Sequence, residues 1–214
     1  MATSIFGFAA RGPLIAPGDA LQTVRNIAAS ERLFRISIAS DLLTVVGVII
    51  LVSALYVILK PINRNIALLA TFWRLAENFT LAVITLNGFA IVALLPGTDS
   101  VQAFDANQLS TLVSALYRVW GAGFNIGFVF LGLGSTVFSY LWLKSRYIPR
   151  PLAILGILAS LLLGLINLAS MVFPRLANTL GMICMMPMFF YEIGLGVWLL
   201  IKGLRPPVVD LASR

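Results

Sequence analysis

No histidine occurs among the 214 residues, and one cysteine, Cys184, stands alone. The first absence excludes bis-His haem, His-ligated zinc and any Ser–His or Cys–His nucleophile pair. The second excludes an internal disulfide, so cysteine usage is silent about redox compartment. Charge is scarce as well: 11% of residues are charged and 60% hydrophobic, with a mean hydropathy of +0.99. A soluble domain carries about 25% charged residues, so this composition is that of an integral membrane protein. The net charge of +7 comes mostly from Lys and Arg in short loops beside apolar stretches, where such residues set orientation in a bilayer. No basic stripe with interleaved aromatics marks a nucleic-acid partner, and no residue pattern names a cofactor.

What is present is a set of long apolar runs. A membrane span needs about 20 residues, and five stretches meet that length, at about 34–59, 65–95, 112–143, 152–173 and 176–201. The expected architecture is all-α: one bundle of about five transmembrane helices, with an outer N-terminal segment over 1–33 and a tail over 202–214. If the spans alternate, Lys60, Arg64, Lys144, Arg146, Arg150, Lys202, Arg205 and Arg214 fall on one face. The opposite face has Asp99 and Asp105 in a loop without a basic residue, and Arg175 in the last loop. The bias of Lys and Arg towards the cytoplasm then places the tail inside and the N-terminus outside a bacterial inner membrane. Arg11, Arg25, Arg32 and Arg35 in the N-terminal segment count against that orientation.

The start of the chain, "SIFGFAARGPLI", is apolar but too short to span, and it lacks the charged start and cleavage site of a signal peptide. It reads as the end of a helix. In "PGDALQTVRNIAAS", Asp19 as cap with Gln22 three residues on is a capping-box pattern, and Leu21, Val24, Ile27 and Ala28 share one face. The expectation is a short amphipathic helix on the outer membrane surface or a buried re-entrant piece. "DANQLSTL" repeats the capping pattern with Asp105 and Gln108.

Lipid supplies no hydrophobic drive for helix association, so small residues and polar contacts must hold the bundle. Gly123 and Gly127 form a GxxxG arrangement, and Gly156, Ser160 and Gly164 repeat a small residue every four positions. These are read as internal packing faces, with homodimerisation as the alternative.

Away from their ends the spans carry five ionisable residues: Asp41, Arg74, Glu77, Arg118 and Glu192. A lone charge at the bilayer centre costs at least about 2.5–3.5 kcal/mol on insertion scales, so such groups face inward and pair. Arg74, Glu77 and Asn78 share a helix face; Arg118, Gly121, Asn125, Gly132 and Ser139 line another. From a helical rise of ~1.5 Å per residue, Arg74 and Glu192 lie ~14 Å from the cytoplasmic ends of their spans, Glu77 ~18 Å, Asp41 ~27 Å and Arg118 ~37 Å. The expected arrangement brackets Arg74 between Glu77 and Glu192, with Asp41 and Asn125 a layer above and Arg118 reaching down to Asp41. Such a centre fixes helix register, lines a cavity for a ligand, ion or proton, or meets another membrane subunit.

In the fifth span, "GMICMMPMFFYEIG", Pro187 cannot donate to the carbonyl of Ile183 and is expected to kink the helix just before Tyr191 and Glu192. Met182, Cys184, Met185, Met186 and Met188 are read as adaptable core filler rather than Cu(I) ligands, so no metal site is assigned.

Four stretches, "APGDALQTVRNIAASERLFRISIASDLL", "LYVILKPINRNIALLATFWRLAEN", "GLGSTVFSYLWLKSRYIPR" and "MPMFFYEIGLGVWLLIKG", together resemble a bacterial family of multi-pass membrane proteins known as domain of unknown function 4386. The resemblance runs over nearly the whole chain and implies the fold. It implies no activity. Members of that family usually have a further N-terminal helix, of which Ser4–Ala10 would be the end, leaving either a truncated start or a five-span variant.

Three functions compete. A small-molecule or lipid binder, or a carrier, fits the polar centre and the aromatics Phe72, Trp73, Phe79, Phe124, Phe189 and Phe190 as pocket walls, although no inverted repeat is present. An accessory or scaffold subunit, with other membrane subunits or a second copy as partners, fits the odd span count and small size. An intramembrane enzyme using Asp41, Glu77 or Glu192 has no motif behind it: "LGLGST" is not the G-x-S-x-G of a nucleophile elbow.

Overall fold

The structure, a computed structural model, describes residues 2–95 and 105–204, with the side chains of 2, 174–179, 181, 182 and 184 excepted. Asp99, Arg205 and Arg214, and the side chains of Arg175, Met182 and Cys184, lie outside that description. Among the described residues there is no strand. The helices are α1 (Ala2–Arg11), α2 (Ala20–Ala29), α3 (Glu31–Leu59), α4 (Arg64–Ile84), α5 (Leu86–Ala93), α6 (Ala106–Ser145), α7 (Arg150–Val172) and α8 (Pro174–Lys202), with a short 3-10 turn at Gly12–Leu14. Five helical stretches are long and apolar enough to cross a membrane: Glu31–Leu59, Arg64–Ala93, Ala106–Ser145, Arg150–Val172 and Met185–Lys202. Along them large apolar side chains point outward, Ile50, Val83, Leu158, Leu165 and Leu200 among them. A soluble monomer does not leave so much apolar surface in water; lipid is the solvent these faces fit.

Helix starts follow local chemistry. Asp105 and Gln108 form the reciprocal capping box at α6: Gln108 N–H donates to Asp105 Oδ1 at 2.8 Å and Asp105 N–H to Gln108 Oε1 at 3.2 Å. At α2 only half of the box forms. Gln22 N–H donates to Asp19 Oδ1 at 2.8 Å, while the Gln22 amide turns forward to Asn26 Oδ1 at 2.8 Å. Asn63 caps α4 by accepting from Ile66 N–H at 3.0 Å.

The second span is interrupted where a single helix was expected. The Thr85 hydroxyl donates to Leu81 O at 2.7 Å and the Asn87 amide to Ile84 O at 3.0 Å, offering these carbonyls side-chain partners in place of the regular ladder. Gly88 N–H accordingly bonds Thr85 O, three residues back, and α5 begins afresh. By contrast α8 stays helical through Pro187.

The chain divides into two compact units, the first made of residues 1–49 and 78–124, the second of 50–77 and 125–214. Helices α3, α4 and α6 contribute to both. The core of the first gathers Ile27, Phe34, Ile38, Ile91, Val113 and Trp120. Helix α2 turns Thr23, Val24 and Ile27 into the protein, with Ala28 exposed, so its apolar face meets this core rather than lipid. Gly88 is fitted so closely that a Cβ there would lie 2.7 Å from the Trp120 ring, and one on Gly123 would collide with Ile84.

In the second unit α7 packs along α8. Helix α7 also crosses α6 backbone to backbone: a Cβ on Gly132 would lie 2.6 Å from Gly164 Cα and 2.7 Å from Ser160 O. Leu131, Ala159, Leu163, Met188 and Tyr191 form the core around this crossing. Ser160 donates to the Met188 sulfur at 3.5 Å, a weak bond. Met185 and Met186 face outward.

Candidate functional site

The second unit holds a polar cluster inside its membrane-length helices. Arg74 and Glu77, one helical turn apart on α4, form a buried ion pair with Nη1 2.6 Å from Oε2. Gly134 on α6 makes room for the arginine stem, since a Cβ there would lie 2.7 Å from Arg74 Cγ and 3.1 Å from Ala70 O. Glu192 on α8 lies in the electrostatic field of both Arg74 and Glu77. It makes no ion pair or hydrogen bond among the described residues. Beside it, the Ser139 hydroxyl donates to Tyr191 Oη at 2.9 Å, and Tyr191 feels both Glu192 and Arg74. Gly156 on α7 closes this corner; a Cβ on it would lie 2.5 Å from Ser139 Oγ and from the tyrosine ring. Three helices and a glycine on a fourth thus bring one guanidinium, two carboxyl groups and two hydroxyls together in an apolar surround. Asn125, half-buried on α6 in the same unit, hydrogen-bonds to none of them among the described residues.

The first unit contains a separate ion pair. Arg11 at the end of α1 grips Asp41 on α3 with two bonds, Nη1 to Oδ2 at 2.6 Å and Nη2 to Oδ1 at 3.3 Å. The guanidinium also lies over the Trp120 ring at 4.3 Å and the Phe8 ring at 5.5 Å, within cation–π range. Gly7 permits the approach, because a Cβ there would sit 2.9 Å from Asp41 Oδ1. Next to this pair Ser40 donates to Thr3 O, and the Thr3 and Thr44 hydroxyls share a bond of 2.8 Å. Asn78, fully buried, donates to Val45 O at 2.8 Å, while its Oδ1 finds no hydrogen-bond partner among the described residues.

These contacts correct the expected pairing. Arg118 does not reach Asp41; it is exposed, as is Gly121 one turn on, so the proposed polar face of α6 is not one continuous inward face. Arg11 takes the aspartate instead, because α1 packs its last turn against α3. The sequence does carry a signal for this: Arg11 ends an apolar run and is followed by Gly12 and Pro13, which stop the helix and leave the arginine to turn inward. The aromatics expected as pocket walls also divide differently. Phe72, Phe79, Phe189 and Phe190 point outward, while Trp73 and Phe124 are half-buried, the latter 5.5 Å from Phe8. Gly134 and the Ser139–Tyr191 bond were not legible as parts of the centre.

Comparison with known proteins places these features in a family. No solved structure matches the chain. It is similar to an uncharacterized protein of Archaeoglobus fulgidus, 25% identical over 180 residues that cover 80% of this chain and 90% of that one. That relative is archaeal, so an assignment to bacteria rests on nothing but the resemblance read from the sequence. Residues 1–203 match the family described as Domain of unknown function (DUF4386), and the chain belongs to that family.

Proposed function

We propose that this protein binds a small molecule or lipid at the Arg74–Glu77–Glu192 cluster, as a membrane binding protein or carrier. One observation carries the reading: Glu192 is a carboxyl inside a membrane-length helix that makes no ion pair or hydrogen bond among the described residues, Glu77 already holding Arg74. Intramembrane ionisable groups are costly and mark substrate or ion pathways. A ligand carrying an ammonium, amide or hydroxyl donor would satisfy Glu192, while the Tyr191 and Ser139 hydroxyls supply further polar contacts. Its setting is the cytoplasmic membrane, with the Lys- and Arg-bearing loops and the tail inside and the N-terminus outside.

Native mass spectrometry of the protein released from its own membrane in a mild detergent tests this. Extra mass of lipid or metabolite size is expected on the wild type, lost in Glu192→Gln and weakened in Glu77→Gln. Extra mass of whole polypeptides, indifferent to both changes, would replace the binder by a subunit of a larger membrane assembly.

A further inference from the structure

The second unit carries its exposed cations at one level. Arg64 at the start of α4 precedes Arg74 by ten positions, Lys144 in the last turn of α6 follows Gly134 by ten, and Lys202 at the end of α8 follows Glu192 by ten. Gly134 abuts Arg74, and Arg74 shares a field with Glu192. The three cations therefore stand together about 15 Å along their helices from one shared cluster, at a rise of ~1.5 Å per residue. That distance is half of a hydrocarbon core about 30 Å thick, so with the cluster at mid-membrane the cations reach the headgroup phosphates. Lys60 and Arg64 flank the connection from α3 to α4, and Arg146 and Arg150 flank that from α6 to α7.

All six are exposed, and none makes an ion pair among the described residues. The second unit has no exposed acid among the described residues, since Glu77 is buried and Glu192 half-buried. The first unit differs: its exposed arginines Arg25, Arg32, Arg35 and Arg118 are accompanied by Asp19, Glu31 and Asp105, and Arg35 is paired with Glu31 at 2.6 Å. One backbone detail points the same way. Arg146, the residue after α6, has φ 57°, with its N–H on Trp142 O at 3.1 Å, in the left-handed position that helix ends ordinarily give to glycine. Non-glycine residues held in this region tend to cluster at functional positions.

We propose that Lys60, Arg64, Lys144, Arg146, Arg150 and Lys202 form a docking surface for anionic phospholipid headgroups. The surface holds the phosphates of lipids such as phosphatidylglycerol in preference to zwitterionic lipids. Six cations with no acid among them give an attraction that a lone loop charge does not.

The test incubates the full-length protein in detergent with equimolar phosphatidylglycerol and phosphatidylcholine of matched chains, and counts retained lipids by native mass spectrometry. Wild-type protein is expected to retain the anionic lipid about fivefold or more over the zwitterionic one, given the attraction of each basic residue to an anionic headgroup. The ratio should fall towards unity in Lys60→Gln/Arg64→Gln/Arg146→Gln/Arg150→Gln and stay unchanged in Arg25→Gln/Arg32→Gln of the first unit. If the fourfold variant does not fold, as judged by circular dichroism and elution volume, the wild type in high salt replaces it and must lose its preference. Equal retention of the two lipids by wild type, or a preference that survives neutralisation or salt, would falsify the proposal. Displacement of the lipid by inorganic phosphate but not by chloride of equal ionic strength would show a free-anion site and overturn the lipid assignment. Mass lost in Glu192→Gln belongs to the polar cluster and is unaffected by the fourfold change, so the two readings fail separately.

Discussion

At the scale of single residues, the sequence alone assigns Asp41 to Arg118, and the structure gives it to Arg11. Removing one member of a buried ion pair leaves the other charged and desolvated, at a cost of about 3–5 kcal/mol. Arg11→Ala is therefore expected to lower the unfolding midpoint in detergent by several degrees, since Arg11 and Asp41 are 5% and 12% exposed. Arg118→Ala, on an exposed side chain, should stay within about 0.5 kcal/mol of wild type. The double variant Arg11→Leu/Asp41→Leu should recover much of the loss, because an apolar pair carries no desolvation cost. Equal effects of the two single changes would restore Arg118 as the partner. The sequence showed that Asp41 needed a cation and misplaced it, for a physical reason. Periodicity ranks residues within one helix, but which helix supplies the partner depends on how α1 packs, and α1 is too short to have been recognised as a packing element.

At the scale of elements, glycine positions separate contact from mere flexibility. Gly132 and Gly164 face each other where α6 crosses α7, yet they are not equivalent. A methyl on Gly132 would meet backbone atoms at 2.6 and 2.7 Å, which cannot rotate away, whereas one on Gly164 would approach Gly132 Cα at an ordinary 3.4 Å. Gly132→Ala is expected to destabilise by about 1–3 kcal/mol through overpacking, and Gly164→Ala to remain within about 1 kcal/mol of wild type. Thermal unfolding of the two purified variants checks the asymmetry, and equal losses would mean that the helices slide to accommodate either methyl. The four-residue spacing of Gly156, Ser160 and Gly164 was visible in the sequence. Their partners were not, since Gly132 and Ser139 read as parts of a polar face and Tyr191 as a neighbour of Glu192. Spacing within a helix defines a face; the residue opposite belongs to another helix and leaves no mark in the local pattern. The break at Thr85 escaped for a related reason, because Thr and Asn within an apolar run can bond a local carbonyl with or without interrupting the helix, and the pattern alone does not say which.

At the scale of the whole molecule, hydropathy alone yields a five-span helical protein, since in lipid the backbone must satisfy itself within helices. Orientation is a subtler quantity, and the structure changes how it is counted. By sequence, four N-terminal arginines oppose the assignment that places the Lys60, Lys144 and Lys202 face inside. Arg11 is now buried against Asp41 and Arg35 is paired with Glu31, which leaves Arg25 and Arg32 as the cations of that segment without an ion pair among the described residues. Six cations without an ion pair among the described residues lie on the other set of connections, against Arg25, Arg32, Arg118 and Arg175. Since positive residues near span ends tend to stay in the cytoplasm, the expected orientation keeps those six inside. In a Cys184→Ser background, a cysteine at the exposed position Asn107 should react with a membrane-impermeant maleimide added to intact cells. One at exposed Pro61, between Lys60 and Arg64, should react only after the membrane is opened. The reverse pattern would put the basic surface outside, where its counterpart would be the outer leaflet, and would show that Arg25 and Arg32 govern insertion because they emerge first.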